Sequence, residues 1–234
     1  MATFVLVPGS WIGAWAWRRV EPLLREAGHQ VHAITLTALG DRAHLGDGDT
    51  TLSTHVQDVV ALIEAEELSD VVLVGHSYSG VVVASVAEQI PDRIAHVIYL
   101  AAVIPIDGKS LLDGAGEDFA RVVRAQSEDG RWPFISDQEL SQYYGDHEIS
   151  AEDLAWMRRH AIGHPLGTYA EASVLGNPEA AALPKTYIRC TADQAPDLPG
   201  NRSSWGYAEL TTGHWPMVTR PAELAALLGK TASR

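Results

Sequence analysis

The sequence predicts an α/β protein: a mostly parallel central sheet flanked by helices, with an inserted helical cap. Three observations lead there. Short β-branched runs alternate with longer amphipathic segments as far as Ile106, the alternation that builds a parallel sheet covered on both faces. The strand pattern then lapses and returns only at Thr186. Finally, Gly75-His76-Ser77-Tyr78-Ser79-Gly80 interrupts an apolar stretch where a strand pattern gives way to a helical one.

Thr3–Val7 reads as a buried strand. Trp15–Ala27 follows as a helix with Trp17, Val20, Leu23, Leu24 and Ala27 inward, and Gly28 suits its C-terminus, although Pro22 is a poor interior residue. Val31–Leu36 is the second strand. Thr54 and Gln57 resemble a capping box, after which Val56, Val59, Val60 and Ile63 recur at helical spacing. Val71–Val74 is the third strand, a helix runs through Val81–Gln89, and Ile94–Ala102 is the fourth strand.

Residues 107–181 read as helical and polar-aromatic. Ser150 and Asp153 cap a helix carrying Leu154, Trp156, Met157 and Ile162. Strands return at Thr186–Cys190 and Tyr207–Leu210, and a last helix has Pro221 in its first turn with Leu224, Leu227 and Leu228 inward. The expected organisation is a core of residues 1–106 and 182–234 interrupted by a cap of residues 107–181.

Composition narrows the function classes. Of 234 residues, 46% are hydrophobic and 20% charged, which excludes a disordered chain. Thirty acidic residues against 17 basic ones give a formal charge of −13, a surface that repels nucleic-acid backbones and anionic lipid. The single cysteine, Cys190, allows no intrachain disulfide and reads as a small buried strand residue. The first residues lack a basic stretch followed by a signal-type apolar run, and the longest uncharged span, Val71–Ala87, has polar groups at its centre. A soluble, cytoplasmic protein is expected.

The run at 75–80 carries the chemistry. A strand turning sharply into a helix exposes a serine hydroxyl at the sheet edge, provided small residues flank it, which makes Ser77 the candidate nucleophile. A serine needs a base, and the base needs an orienting acid. His214, in Thr211-Thr212-Gly213-His214-Trp215, is the only one of ten histidines beyond position 164 and falls between the last strand and the last helix. Asp193 lies just past the preceding strand, and Asp197 and Asp107 are weaker candidates for the acid. Acyl transfer also needs N–H donors aimed at the developing oxyanion; those of Tyr78, after the nucleophile, and Ser10, in the loop after the first strand, are expected there, with Gly9 allowing close backbone approach.

These residues resemble the α/β-hydrolase superfamily, and most closely its branch of plant methylesterases, salicylate-binding esterases, hydroxynitrile lyases and small bacterial esterases. The resemblance runs through Val5–Trp17, Gly28–Leu36, Val71–Gly80, Tyr144–Leu154, Tyr187–Asp193 and Gly213-His214. It implies the α/β-hydrolase fold and a Ser77–Asp193–His214 triad. Two positions depart from the branch: Pro8-Gly9 stands for its usual His-Gly, and Ser79-Gly80 for its usual Gly-Gly. The lyases carry a lysine after the catalytic histidine and a threonine where Gly9 stands; here the first position is Trp215, and an indole cannot replace a charged amine.

The expected activity is hydrolysis of a carboxylic ester of a small hydrophobic or aromatic substrate, of the carboxylesterase type. Trp11, Trp132, Tyr143, Trp156 and Trp215 are the candidate substrate-binding side chains, with Phe134, Tyr144 and Tyr169 also able to line the pocket or pack the cap. His160 and His164 are expected to be surface or hydrogen-bonded cap residues. No metal-ligand spacing, phosphate loop or dinucleotide fingerprint occurs, so no cofactor and no metal are expected. The expected partner is a small-molecule ester, not a nucleic acid or membrane, and a homodimer is left open. Lactone opening, C–C cleavage or cyclisation by the same triad is the rival chemistry; a ligand-binding receptor is the rival from another class.

Overall fold

The computed structural model describes residues 1–145, 148–193 and 204–232. Its centre is a six-stranded sheet of β1 (Thr3–Val7), β2 (Gln30–Ala33), β3 (Val71–His76), β4 (Ile94–Leu100), β7 (Lys185–Cys190) and β8 (Gly206–Leu210), in the order β2-β1-β3-β4-β7-β8. Every neighbouring pair is parallel, with Val7 opposite Gly75, Gly75 opposite Tyr99, Tyr99 opposite Tyr187 and Tyr187 opposite Tyr207. All six residues of β3 are buried, as expected of a continuous apolar run in the middle of a parallel sheet. The loops after β1, β3, β7 and β8 therefore open at one edge, the carboxyl edge where α/β sheets build their sites.

Helices α1 (Glu21–Glu26), α2 (Leu52–Ala65), α3 (Ser79–Gln89) and α11 (Pro221–Ala232) flank this sheet, with α1 packed on α11 and α2 on α3. Between β4 and β7 the chain forms α4 (Leu111–Ala115), α5 (Glu117–Gln126), α6 (Asp137–Tyr144), α7 (Ala151–His160), α8 (Gly167–Ala170) and α9 (Pro178–Ala182). A short antiparallel ladder of β5 (Arg131–Trp132) and β6 (His164–Pro165) ties this region together. The four-residue α10 (Pro216–Thr219) precedes α11. Among the described residues, no helix is long and apolar enough to cross a membrane.

Ser150 caps α7 as expected, its Oγ accepting from the Asp153 N–H at 3.1 Å. That helix ends at His160, so Ile162 lies beyond it. Three other expectations are corrected. The helix expected over Trp15–Ala27 is a 3-10 turn at Ala14–Trp17 followed by α1, because Pro22 is tolerated only in a first turn. The second strand stops at Ala33, and the Thr35 side chain instead accepts from the Ala14 N–H at 2.9 Å.

The third correction concerns α2, which begins at Leu52 and leaves Thr54 inside its first turn, so Thr54 and Gln57 form no capping box. The Glu171 carboxylate, 118 residues away in sequence, caps it by accepting from the Ser53 N–H at 2.7 Å and from the Ser53 hydroxyl. Burial opposes ionisation of Glu171, but these bonds, with others from Thr51 and Leu52, outweigh it and hold the carboxyl below its ordinary value. Glu171→Ala is expected to cost about 1 kcal/mol, the scale of a lost helix cap. Thermal denaturation checks it: the wild-type advantage is present at neutral pH and fades as pH falls below the ordinary carboxylate range, since protonated Glu171 no longer caps.

Candidate active site

Ser77 sits between β3 and α3 with a φ of +54°, a left-handed conformation that a non-glycine residue adopts only when its surroundings enforce it. Its N–H donates to the Leu100 carbonyl at 3.1 Å, and its carbonyl accepts from the Gly80 N–H at 3.1 Å and the Val103 N–H at 2.9 Å. The elbow is thus clamped to the segment leaving β4. Gly80 is required by that clamp, because a Cβ there would stand 1.9 Å from the Val103 carbonyl oxygen. Gly80→Ala is expected to lower stability by about 2–4 kcal/mol, as overpacking against backbone does. Chemical denaturation checks this, and wild-type stability in the variant would contradict the clamp.

Three loops at the sheet edge bring the expected polar groups together. The Ser77 hydroxyl lies 2.8 Å from His214 Nε2, and His214 Nδ1–H donates to Asp193 Oδ2 at 2.5 Å. His214 and Asp193 are buried, while Ser77 is partly open. Of the weaker acid candidates, Asp107 accepts from the Leu175 N–H at 2.8 Å and serves a loop, and Asp197 lies outside the described residues. The His214 backbone is held as well, its carbonyl accepting from His76 Nε2–H at 2.8 Å.

The Pro8–Trp11 loop leaves β1 beside the elbow. Among the described residues, neither the Ser10 N–H nor the Tyr78 N–H donates to a protein group, as oxyanion donors require. The far end of the loop is fixed by the segment around β5 and β6. The Trp11 N–H donates to His164 Nδ1 at 3.3 Å, the Trp11 carbonyl accepts from the Ile162 N–H at 2.9 Å, and Trp11 Nε1–H donates to the Trp132 carbonyl at 3.0 Å. The Ser10 hydroxyl pairs with the Tyr169 hydroxyl. Gly9 is needed for closeness: a Cβ there would stand 2.7 Å from His76 Nδ1 and 2.9 Å from Ser77 Cβ.

Three buried histidines stand behind these loops. His55 Nε2–H donates to the Thr37 carbonyl at 2.8 Å while its Nδ1 accepts from the Tyr78 hydroxyl at 3.0 Å. His164, expected as a surface or hydrogen-bonded residue, is fully buried and hydrogen-bonded, with Nε2–H donating to Thr168 Oγ1 at 2.9 Å. Burial pushes His55 down to about 4, His76 down to about 3, and His164 well below the ordinary histidine value of 6.5. All three stay neutral in the folded protein, while the unfolded chain takes up protons below pH 6.5. Stability is therefore expected to fall as pH drops from that value, by up to about 1.4 kcal/mol per pH unit for each histidine. Urea unfolding at pH 7, 6 and 5 checks this, and a constant midpoint would contradict it.

The aromatic candidates separate into two groups. Trp11 and Trp132 are buried with ring centroids 4.6 Å apart, and Trp132 also contacts Tyr169, which bonds Ser10. Trp215 is buried edge-on to His214 at 4.8 Å. Tyr143 and Trp156 are not brought to these groups. Tyr143 is 38% exposed, and its neighbour Tyr144 packs on His214 at 4.5 Å and on Trp215 at 4.7 Å. Both tyrosines flank the face of the buried Leu140, at i+3 and i+4, but only the Tyr144 side of that face meets His214 and Trp215. Trp156 packs on Trp15 and His160 and lies under the Arg18 guanidinium, 4.1 Å from the ring centre, so it fastens α7 to the segment before α1.

Sequence reasoning did not single out His76 or Ser79 as site residues and left Tyr144 able either to line the pocket or to pack the cap, although the Ser136–Glu139 capping box fixes the phase of α6 and with it the inward face of Tyr144. Among the described residues, no group of three or more His, Cys, Asp or Glu side chains is placed to hold a metal ion. Cys190 is buried on β7, and burial pushes its thiol up to about 12, so it is not a reactive thiolate.

A parallel sheet with a serine elbow after a central strand and a histidine–aspartate pair at the same edge defines the α/β-hydrolase class. The family model described as the alpha/beta hydrolase family matches residues 4–227, and the chain belongs to that family. It is 37% identical to a carbendazim hydrolyzing esterase of Nocardioides sp. (strain SG-4G), covering 97% of this chain and 98% of the relative. It is 28% identical to methylesterase 1 of Arabidopsis thaliana, covering 99% and 96% of the two chains. Among solved structures, an extracellular alpha/beta-hydrolase from a Paenibacillus species, described as sharing structural and functional homology with tobacco salicylic acid binding protein 2, superposes with a TM-score of 0.85. That pair is 26% identical, with 98% of each chain covered. The chain is a carboxylesterase-type hydrolase.

Proposed function

We propose that the chain hydrolyses carboxylic esters of small hydrophobic or aromatic compounds through an acyl-enzyme on Ser77. One observation carries the reading: a continuous hydrogen-bond relay from Ser77 Oγ through His214 to Asp193, at a strained elbow on the sheet edge. Ser77 Oγ attacks the ester carbonyl as its proton passes to His214 Nε2. The carbonyl oxygen becomes an oxyanion and accepts from the Ser10 and Tyr78 N–H groups. Collapse breaks the bond to the alkoxy oxygen, which leaves as the alcohol with the proton from His214. Water then attacks the acyl carbon, gives its proton to His214, and the acid departs. Asp193 keeps His214 in the tautomer whose Nε2 accepts.

Trp215 and Tyr144, packed on His214, and the Trp11–Trp132 pair, linked through Tyr169 to Ser10, favour an aromatic or bulky apolar group on one side of the ester. The methylesterase relative favours a methyl ester as the natural class. In this reading residues 107–181 act as the cap over the site, no cofactor takes part, and the acidic charge and single cysteine suit a cytoplasmic enzyme. Product analysis on methyl esters of small aromatic acids tests the reaction class. Hydrolysis releases acid and methanol in equal amounts, with one solvent oxygen in the acid. A single product, or a C–C cleavage product, would displace this reading in favour of lactone, cyclisation or C–C chemistry.

A further inference from the structure

We propose that Ser79, together with the carbonyl of Pro8, is a positioning device for the oxyanion hole: the Ser79 hydroxyl holds the Pro8–Gly9 peptide, immediately before the peptide that presents the Ser10 N–H. The inference rests on the reading of Ser77 as nucleophile. Pro8 and Ser79 are two departures from the pattern the chain otherwise resembles, and the structure joins them, because Ser79 Oγ–H donates to the Pro8 carbonyl. Ser79 is fully shielded from solvent and Pro8 is buried.

The physical need is local. The β1–β3 ladder ends with Val7 opposite Gly75, so past that pair the sheet no longer fixes the loop against the elbow. Proline has no N–H with which to continue a ladder, and its buried carbonyl requires a partner. The far end of the loop is held from outside the sheet, by His164, Ile162, Trp132 and Tyr169. The near end is held by the elbow itself: Ser79 grips the Pro8 carbonyl, and the His76 ring and Ser77 Cβ pack against Gly9. Ser79 opens α3, so its hydroxyl links the element bearing the nucleophile and the Tyr78 N–H to the loop bearing the Ser10 N–H. The two donors are thereby held in one frame. Without the hydroxyl, the Pro8–Gly9 peptide loses its anchor, and the Ser10 N–H on the next peptide drifts from the position the oxyanion needs.

An oxyanion donor acts on the transition state and contributes little to ground-state binding. Ser79→Ala should therefore lower kcat roughly 10- to 100-fold on a p-nitrophenyl ester, below the full cost of a deleted donor, with KM within about two-fold of wild type. A trifluoromethyl ketone supplies the second readout, since Ser77 Oγ adds to its carbonyl and the oxygen becomes the anion held by the hole. Its affinity for Ser79→Ala should fall by the same factor as kcat, while the melting temperature of the free protein does not account for the loss. Ser79→Cys, close in volume but a weak donor, gives the same test should Ser79→Ala fail to fold. Unchanged kcat and ketone affinity in a folded variant would overturn the proposal, as would a loss confined to KM. Ser77→Ala run alongside separates the two ideas: if it retains activity the nucleophile reading fails, and if it alone is inactive the Ser79 role fails.

Discussion

Ser77→Ala is expected to abolish turnover of short-chain p-nitrophenyl esters, lowering kcat by about 10⁴-fold or more, the scale seen when a triad nucleophile is removed. The hydroxyl makes its hydrogen bond to His214 and none to the frame, whereas the elbow is held by the backbone bonds of residue 77 to Leu100, Gly80 and Val103. The variant should thus keep its fold, its melting temperature and its affinity for product while losing the reaction. Equal rates in the two proteins would mean that another group attacks the ester.

Asp193→Asn is expected to have the second largest effect, a loss in kcat of about 10⁴-fold, because the amide no longer requires Nδ1–H of His214. The imidazole can then place its proton on Nε2, facing Ser77, where it cannot accept the serine proton. Combined with Ser77→Ala the loss should not multiply, since the two residues act as one unit. A near-wild-type rate for Asp193→Asn would instead make Asp193 a loop residue and return the acid role to another carboxylate.

Much of this arrangement is written in local sequence. The central strand β3 is a continuous, largely β-branched run, and a run buried on both faces can be placed without knowing its neighbours. Ser77, Asp193 and His214 come together because each follows a strand, and parallel strands deliver their C-terminal loops to one edge. What was illegible depends on partners distant in sequence. The cap of α2 is Glu171, which no nearby pattern signals, so Thr54 and Gln57 looked like the cap. Trp156 has the spacing of a buried residue, but periodicity does not say that it is buried against Trp15 and Arg18 rather than beside Ser77. Tyr143 and Tyr144 are adjacent aromatics, and only the phase of α6 decides which of them meets His214. Ser79 looked like a lost glycine until its hydroxyl was found on Pro8.

Whether Ser77 is a nucleophile activated by His214 is tested by covalent labelling. The folded protein is treated with a fluorophosphonate, whose phosphorus is attacked by an activated serine as fluoride departs, and the adduct is mapped by peptide mass spectrometry. One phosphonyl group per chain is expected, on Ser77, with labelling of His214→Ala slowed by several orders of magnitude. A folded protein that takes up no label, or one labelled elsewhere at the same rate with and without His214, would contradict it.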